Sequence, residues 1–303
     1  MGDWTERGMG WLPDYPDFRD YTPVQDRVGQ RLKELGRTES VREMLAKVGA
    51  AEAKDALAPQ TDLRQWCSPI EDQGSLGACT AHAGVSLVEY FERKAFGRHI
   101  DASRLFLYKA TRNLLGWTGD TGAFLRSTMG AMVAFGVPPE EHYRYDIAKF
   151  DSEPSAFCYA FGQCYQCISY YRLDPPGTGR EELLTRIRTN LSKSLPSMFG
   201  FTVYSSIDQA VQTGKIPFPA SGERVVGGHA VAAVGYDDNL EIENSSSPGA
   251  ASKGALLIRN SWGTGWGEEG YGWLPYEYVL RGLATDWWSL LKNEWVDTGQ
   301  FGE

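Results

Sequence analysis

The chain is expected to fold as an α+β protein, a helical half followed by a β half, with a cleft where the two meet. Two patterns predict this. Apolar residues recur at helical spacing in segments up to about residue 195, and from Met198 onward they come in short runs bounded by Gly, Pro, Asn and Ser, as strands do. A third observation concerns the core: of 303 residues, 42% are hydrophobic and 13% aromatic, which is ample material for burial and argues against disorder.

Residues 1–60 read as an N-terminal extension of different character. Gly10-Trp11-Leu12-Pro13-Asp14-Tyr15-Pro16-Asp17 is turn-rich and aromatic, and its prolines forbid a long helix, so an irregular segment lying on the rest of the molecule is expected. Val24, Val28, Leu32 and Leu35 recur at helical spacing before a stop at Gly36, which predicts a short amphipathic helix. Ser40 and Glu43 fit a capping box for a second helix through about Val48, which the Ala-rich, charged run to Leu57 would extend. Both are read as surface helices on a charged arm or as a regulatory segment.

From Asp62 the apolar pattern becomes denser. Ala81, Val85, Val88 and Phe91 mark a buried helix over Ala78 to Lys94, closed by Gly97. A second runs from Thr128 to Phe135 and ends at Gly136 and Pro138; a third carries Leu183, Leu184, Ile187, Leu191 and Leu195 and stops before Pro196. Strands are expected at Met198 to Tyr204, Ala230 to Tyr236 and Ala255 to Arg259. The resulting division is a mainly helical domain over 61–172 and a mainly β domain over 173–303.

Charge excludes one class of partner. Thirty Lys and Arg against 39 Asp and Glu leave a net charge of -9, and no Lys/Arg-rich run offers the concentrated positive field that nucleic-acid phosphates reward. No stretch approaches the roughly 18 to 20 apolar residues that span a bilayer. Met1-Gly2-Asp3-Trp4-Thr5-Glu6 lacks the basic and apolar regions of a secretory signal, so the chain is read as cytoplasmic, or as exported after removal of a signal or by another route. The five cysteines are an odd set, which leaves at least one thiol free of intramolecular pairing. Cys158, Cys164 and Cys167 have CxxC character, but no nearby His offers a fourth ligand, which argues against zinc. Two disulfides among Cys67, Cys158, Cys164 and Cys167 would suit an oxidising compartment, and four reduced thiols the cytosol. No metal or organic cofactor is implied.

Cys79 follows the glycine-punctuated turn Asp72-Gln73-Gly74-Ser75-Leu76-Gly77-Ala78 and opens the first buried helix. Unpaired backbone N–H groups and the positive end of the helix dipole both favour thiolate there, although a small buried hydrophobe is an equally ordinary fate for such a residue. His229 opens a small-residue strand behind Gly227 and Gly228, where the backbone can be approached closely. Asn260 ends a strand in Arg259-Asn260-Ser261-Trp262-Gly263-Thr264-Gly265-Trp266-Gly267, where a plain Asn turn is the alternative.

The block from Asn260 to Gly272 is similar, nearly residue for residue, to the Asn-Ser-Trp-Gly-Thr-Gly-Trp-Gly segment of the papain family of cysteine peptidases. His229 to Tyr236 resembles that family's His segment, Gln73 to Cys79 its nucleophile segment, and the order Cys, His, Asn also matches. The resemblance covers about residues 61–290. It implies a papain-like two-domain fold with the active site in the cleft between a helical and a β-barrel-like domain. By position it makes Cys79 the nucleophile, His229 its proton partner in a thiolate–imidazolium pair, and Asn260 the residue that orients the imidazole, with Trp262 covering that bond. Gln73 and the backbone N–H of Cys79 would hold the oxyanion. Trp266 would wall the leaving-group side. Gly122, Phe124, Ala230 and Asp286 would line the substrate cleft, with Asp286 on the floor of the main specificity pocket, where it would favour a basic side chain at P2, the position two residues before the scissile bond.

The chain also departs from the family pattern. Leu76 replaces a cysteine of a usual disulfide, Thr80 replaces an aromatic residue, and Asp120-Thr121-Gly122 stands where relatives have Asn-Gly-Gly, which is expected to alter backbone bonding to substrate. Asp-Gln-Gly-x-Leu-Gly-x-Cys-Thr-Ala and the start Gly-Trp-Leu-Pro-Asp look like a bacterial branch. The expected activity is hydrolysis of peptide or protein substrates, read as endopeptidase action. The N-terminal segment from Trp11 to Tyr21 is read as an intramolecular inhibitor of a zymogen. A catalytically silent peptide-binding protein and an acyl transferase or isopeptidase using the same triad are the alternatives.

Overall fold

The computed structural model describes residues 7–36, 38–51, 57–165, 168–249 and 251–302. The extension contributes two helices, α1 (Gln30–Glu34) and α2 (Val41–Lys47). Helix α1 is shorter than the spacing of Val24, Val28, Leu32 and Leu35 predicts. A carbonyl that a longer helix would use is taken elsewhere: Gln25 O accepts from Arg42 N at 3.1 Å. Helix α2 starts with the expected capping box of Ser40 and Glu43. It is no surface helix, because Met44 and Leu45 are fully buried in the main core. Gly49, at φ +67°, turns the chain away where an extension toward Leu57 was expected; residues 52–56 of that extension lie outside the described residues.

The helical half contains α3 (Cys79–Phe96), α4 (Arg104–Leu115), α5 (Leu125–Phe135) and α6 (Ala156–Gly162). Helix α3 is buried continuously from Cys79 to Phe91 and ends on Gly97 in the left-handed conformation, as the sequence predicts. Helix α4 has no apolar stripe in the sequence because Arg104, Lys109 and Arg112 lie inside. Each is paired: Arg112 Nη1 meets Asp151 Oδ1 at 2.8 Å and donates to Gly119 O at 2.5 Å, while Arg104 lies among Glu71, Glu89, Asp101 and Glu140.

The β half is one antiparallel sheet of β1 (Gln60–Asp62), β2 (Ser169–Arg172), β3 (Ser197–Tyr204), β4 (Val225–Glu243), β5 (Ala251–Arg259), β6 (Tyr271–Pro275) and β7 (Ala284–Leu291). Its order is β2-β7-β3-β4-β5-β6, with β1 added on β4. Strands β1 and β2 come from segments that the sequence division gave to the extension and the helical half. Helix α7 (Arg180–Ser192) and two short helices, α8 (Tyr276–Leu280) and α9 (Asn293–Val296), complete the chain. Helix α3 packs against β4, β3 and β7, so its N-terminus meets the strand that carries His229.

Candidate active site

Cys79 is the first residue of α3 and is fully buried. Ala78 caps the helix without a side-chain bond, so backbone N–H groups of the first turn remain available to the sulfur. Burial pushes the thiol up to about 11, against the opposing pull of backbone N–H groups from Ala230, Gly10, Thr80 and Cys79 itself.

His229 lies on β4 with no exposure, and its Nε2 is 2.8 Å from Asn260 Oδ1. The same Asn260 atom accepts from Ser261 N at 2.8 Å, which identifies it as the oxygen. An amide oxygen only accepts, so Nε2 carries the proton and Nδ1 keeps its lone pair. Nδ1 is buried and has no hydrogen-bond partner among the described residues. Trp262 stacks on the imidazole, with ring centroids 4.6 Å apart at 25°. Burial lowers the imidazole to about 4, only partly opposed by Asn260. Both directions hold the pair neutral in this closed arrangement, where the sequence reading expected thiolate and imidazolium.

Gln73 is buried, with Oε1 accepting from Ser261 Oγ at 2.5 Å and Nε2 donating to Leu76 O at 2.8 Å. This turn lacks the disulfide that Leu76 removes. Asp120 braces it instead: Oδ1 accepts from Gly77 N at 3.0 Å and from Tyr108 Oη at 2.5 Å. Gly122, at φ +72°, donates its N–H to Tyr108 Oη.

Residues 8–12 lie in the cleft itself. Gln73 Nε2 also donates to Gly8 O at 2.9 Å, and Gly10 N–H points at Cys79 Sγ across 3.3 Å. Ala123 N donates to Gly10 O at 2.8 Å, Leu12 N to Ala123 O at 3.1 Å, and Trp11 N to Gly228 O at 3.2 Å. Trp11 therefore pairs with Ala123 in a parallel bridge. Gly122 and Gly228 permit this approach, since a Cβ on either would sit 2.3 Å from Gly10 O or 2.7 Å from Trp11 O. Beyond the cleft, Arg126 binds Asp14 and Asp20, with Arg126 Nε 2.7 Å from Asp20 Oδ1.

The remaining predicted residues surround this segment. Ala230 follows His229 and is buried; Phe124 caps α5 and packs on Trp117. Trp266 lines a cavity of about 320 Å³ with Met9, Asp208 and Trp262. Asp286 lies on β7, fully buried, and Trp11 Nε1 donates to its Oδ2 at 3.2 Å. It is not the unpaired carboxylate that a basic P2 residue would need. Trp288 Nε1 donates to Oδ1 at 2.7 Å and Arg172 Nη1 lies 3.1 Å away. Burial nevertheless raises this carboxyl to about 6, with Arg172 opposing.

Sequence reasoning missed Gly8, Met9, Arg126 and Arg172, and it named Asp120 without foreseeing its bonds to Gly77 and Tyr108. Gly227 and Gly228 hinted at a close approach to this strand, and the turn-rich segment from Gly10 to Asp17 was read as lying on the rest of the molecule. Cys67, Cys79, Cys158 and Cys164 are free thiols, and Cys167 lies outside the described residues. No helix among the described residues is long and apolar enough to cross a membrane.

A family model described as papain family cysteine protease matches residues 57–286. The chain is 31% identical over 288 residues to a peptidase C1-like protein of Acanthamoeba polyphaga mimivirus, covering 93% of this chain and 86% of that one. Papain of Carica papaya is 27% identical over 243 residues, covering 75% of this chain and 58% of papain's. Among solved structures, xylellain, a cysteine protease from Xylella fastidiosa, has a TM-score of 0.70 and 28% identity, covering 96% of this chain and 98% of that one. Digestive procathepsin L 3 of Tenebrio molitor larval midgut shares the fold at TM-score 0.60 and 19% identity, covering 95% of this chain and 76% of that one. The virus, plant and bacterial proteins among these do not single out a bacterial branch.

Proposed function

The chain belongs to the papain family of cysteine proteases and is a cysteine-type peptidase, and we propose that it hydrolyses peptide bonds through a thioester on Cys79 and is held inactive by its own residues 8–12. The observation that carries this reading is the His229–Asn260 bond of 2.8 Å, which leaves Nδ1 as the free basic nitrogen while the adjacent Ala230 N–H reaches Cys79. In the opened cleft, water and the helix N-terminus favour the ion pair that burial now suppresses.

In the reaction, the Cys79 sulfur attacks the peptide carbonyl carbon, forming C–S while charge develops on the oxygen. Gln73 Nε2 and the Cys79 N–H donate to that oxygen. The C–N bond then breaks, with the imidazolium of His229 giving its proton to the leaving amine. Water adds to the thioester as His229 takes its proton, and the C–S bond breaks to release the acid and restore the thiolate–imidazolium pair. Asn260 keeps the ring in one tautomer throughout, under the cover of Trp262. Trp266 walls the leaving-group side, and Gly122, Phe124 and Ala230 flank the acyl side. The substrate is a peptide or protein entered as an endopeptidase substrate.

The N-terminal segment occludes this machinery without being cut. It presents an N–H, from Gly10, to the sulfur where a substrate presents a carbonyl carbon, and its Gly8 carbonyl occupies the amide of Gln73. Both features support a zymogen-like resting state. The test is turnover of a fluorogenic peptide by the full chain carrying Trp11→Ala, with Cys79→Ala added as control. Cys79-dependent hydrolysis and an acyl adduct on Cys79 are expected. Peptide binding without hydrolysis would instead support the silent binding protein, and transfer to an added amine in preference to water would support the transferase.

A further inference from the structure

Trp11 enters a slot that two glycines leave open and one carboxylate closes. A Cβ on Gly200 would lie 1.9 Å from Trp11 Cε2, and one on Gly228 would lie 2.9 Å from Trp11 Cε3, so larger residues there would exclude a bicyclic ring. At the far end Trp11 Nε1 donates to Asp286 Oδ2 at 3.2 Å. The other oxygen is engaged by Trp288 Nε1 and by Arg172 Nη1. Arg172 is 1% exposed and cannot swing away, since its Nε also holds Asp174 Oδ1 at 2.9 Å. Asp174 in turn accepts the backbone N–H of Asp286 at 2.9 Å, which fixes the floor of the slot.

The charge around the floor decides what it can recognise. Asp14 and Asp20 belong to the N-terminal segment, where both pair with Arg126. At the floor itself, Asp174 and Asp286 are both paired with Arg172. A lysine or arginine side chain entering the slot would lose its hydration, approach Arg172 and find both carboxylates already paired. A neutral ring with one N–H loses little and finds the single acceptor that Trp11 now uses.

On the reading of this cleft as a peptidase site, we propose that the slot selects a tryptophan side chain at P2, in preference to basic or aliphatic ones. Trp11 is thus the chain's own imitation of the side chain the slot takes. A site built around one buried acceptor discriminates against an isostere that lacks the donor.

The full chain carrying Trp11→Ala, which empties the slot, is to be assayed with four matched fluorogenic peptides. They differ only at P2: tryptophan, 3-benzothienylalanine with sulfur in place of N–H, leucine and arginine. The tryptophan peptide is expected to exceed the isostere and leucine by about tenfold or more in kcat/KM, as one hydrogen bond to a buried carboxylate allows, and arginine by more. Arginine equal to tryptophan, or the isostere equal to tryptophan, overturns the proposal. If Trp11→Ala fails to fold, Trp11→Phe and Trp11→Arg in the full chain supply the same ordering. Basal turnover of the leucine peptide should then rise for both and more for Trp11→Arg; a Trp11→Arg chain no more active than the parent overturns the proposal. Hydrolysis of the leucine peptide without a tryptophan preference sinks the proposal alone. No hydrolysis of any peptide, with Cys79 still open to alkylation, sinks the peptidase reading and the proposal together.

Discussion

Removing the indole of Trp11 should uncover Cys79. The side chain is 6% exposed in the closed cleft and would be solvated once residues 8–12 lift away, so Trp11→Ala weakens the closed state far more than the open one. Truncating a buried aromatic ring to Ala costs about 3 to 5 kcal/mol, and the loss of the bond to Asp286 lies within that range. The lower figure, about 3 kcal/mol, corresponds to a rise of about 150-fold in the ratio of open to closed molecules, at tenfold per 1.4 kcal/mol. The assay is the rate of Cys79 alkylation by iodoacetamide at pH 7, with the adduct located by mass spectrometry. If opening precedes reaction, the rate follows the open fraction until that fraction saturates. Tyr15→Ala, on the same segment but 90% exposed, should leave the rate unchanged. A Trp11→Ala rate within twofold of the parent, in a protein that remains folded, would refute the view that this side chain holds the segment in the cleft.

In the Trp11→Ala background, Gln73→Ala should lower kcat for peptide hydrolysis about a hundredfold or more, since one oxyanion donor contributes roughly 3 kcal/mol; an unchanged kcat would remove Gln73 from that role. Met44→Ala should lower unfolding stability in urea by about 2 to 5 kcal/mol and leave the alkylation rate of the folded protein as it was, because α2 is part of the core and lies away from the cleft. Burial holds His229 at about 4 against an ordinary value of 6.5, so the unfolded chain binds more protons between those values. Its contribution, about 3 kcal/mol, is complete above pH 6.5 and is lost as pH falls through 4. Urea midpoints from pH 7 to 4 should therefore drop more steeply for the parent than for His229→Gln, and parallel slopes would count against it. Arg126→Met should raise the Cys79 alkylation rate several-fold by releasing Asp14 and Asp20, an effect that shrinks if the parent is measured in high salt.

The parts legible in advance were those whose signal is local. Helix α3 was readable because small and apolar residues line it from Ala78 and Gly97 supplies the left-handed stop. Strands β3, β4 and β5 were readable as short apolar runs, and β4 proved longer because its polar C-terminal end still pairs with β5. Helix α4 escaped because Arg104, Lys109 and Arg112 interrupt its pattern, and their carboxylate partners lie on other segments. The helix expected from Val24 shrank to α1 because the carbonyl at Gln25 found its partner on α2. At the cleft, Cys79, His229 and Asn260 stood out by their immediate neighbours. Asp286 did too, but nothing near it in sequence revealed Arg172 at 3.1 Å, and so the expected basic specificity was drawn from half of an ion pair.

Residue order alone was enough to determine the family, the α+β plan and the candidates for the reacting groups, because these rest on contiguous motifs and on periodicity within single segments. Tertiary structure alone decided that residues 8–12 occupy the cleft, that α2 belongs to the core, and that burial holds Cys79 and His229 neutral there. The physical reason is that desolvation and charge pairing depend on what lies within a few ångströms. For Gly10 over Cys79, or Arg172 beside Asp286, those neighbours are separated by 69 residues in the first case and more than a hundred in the second.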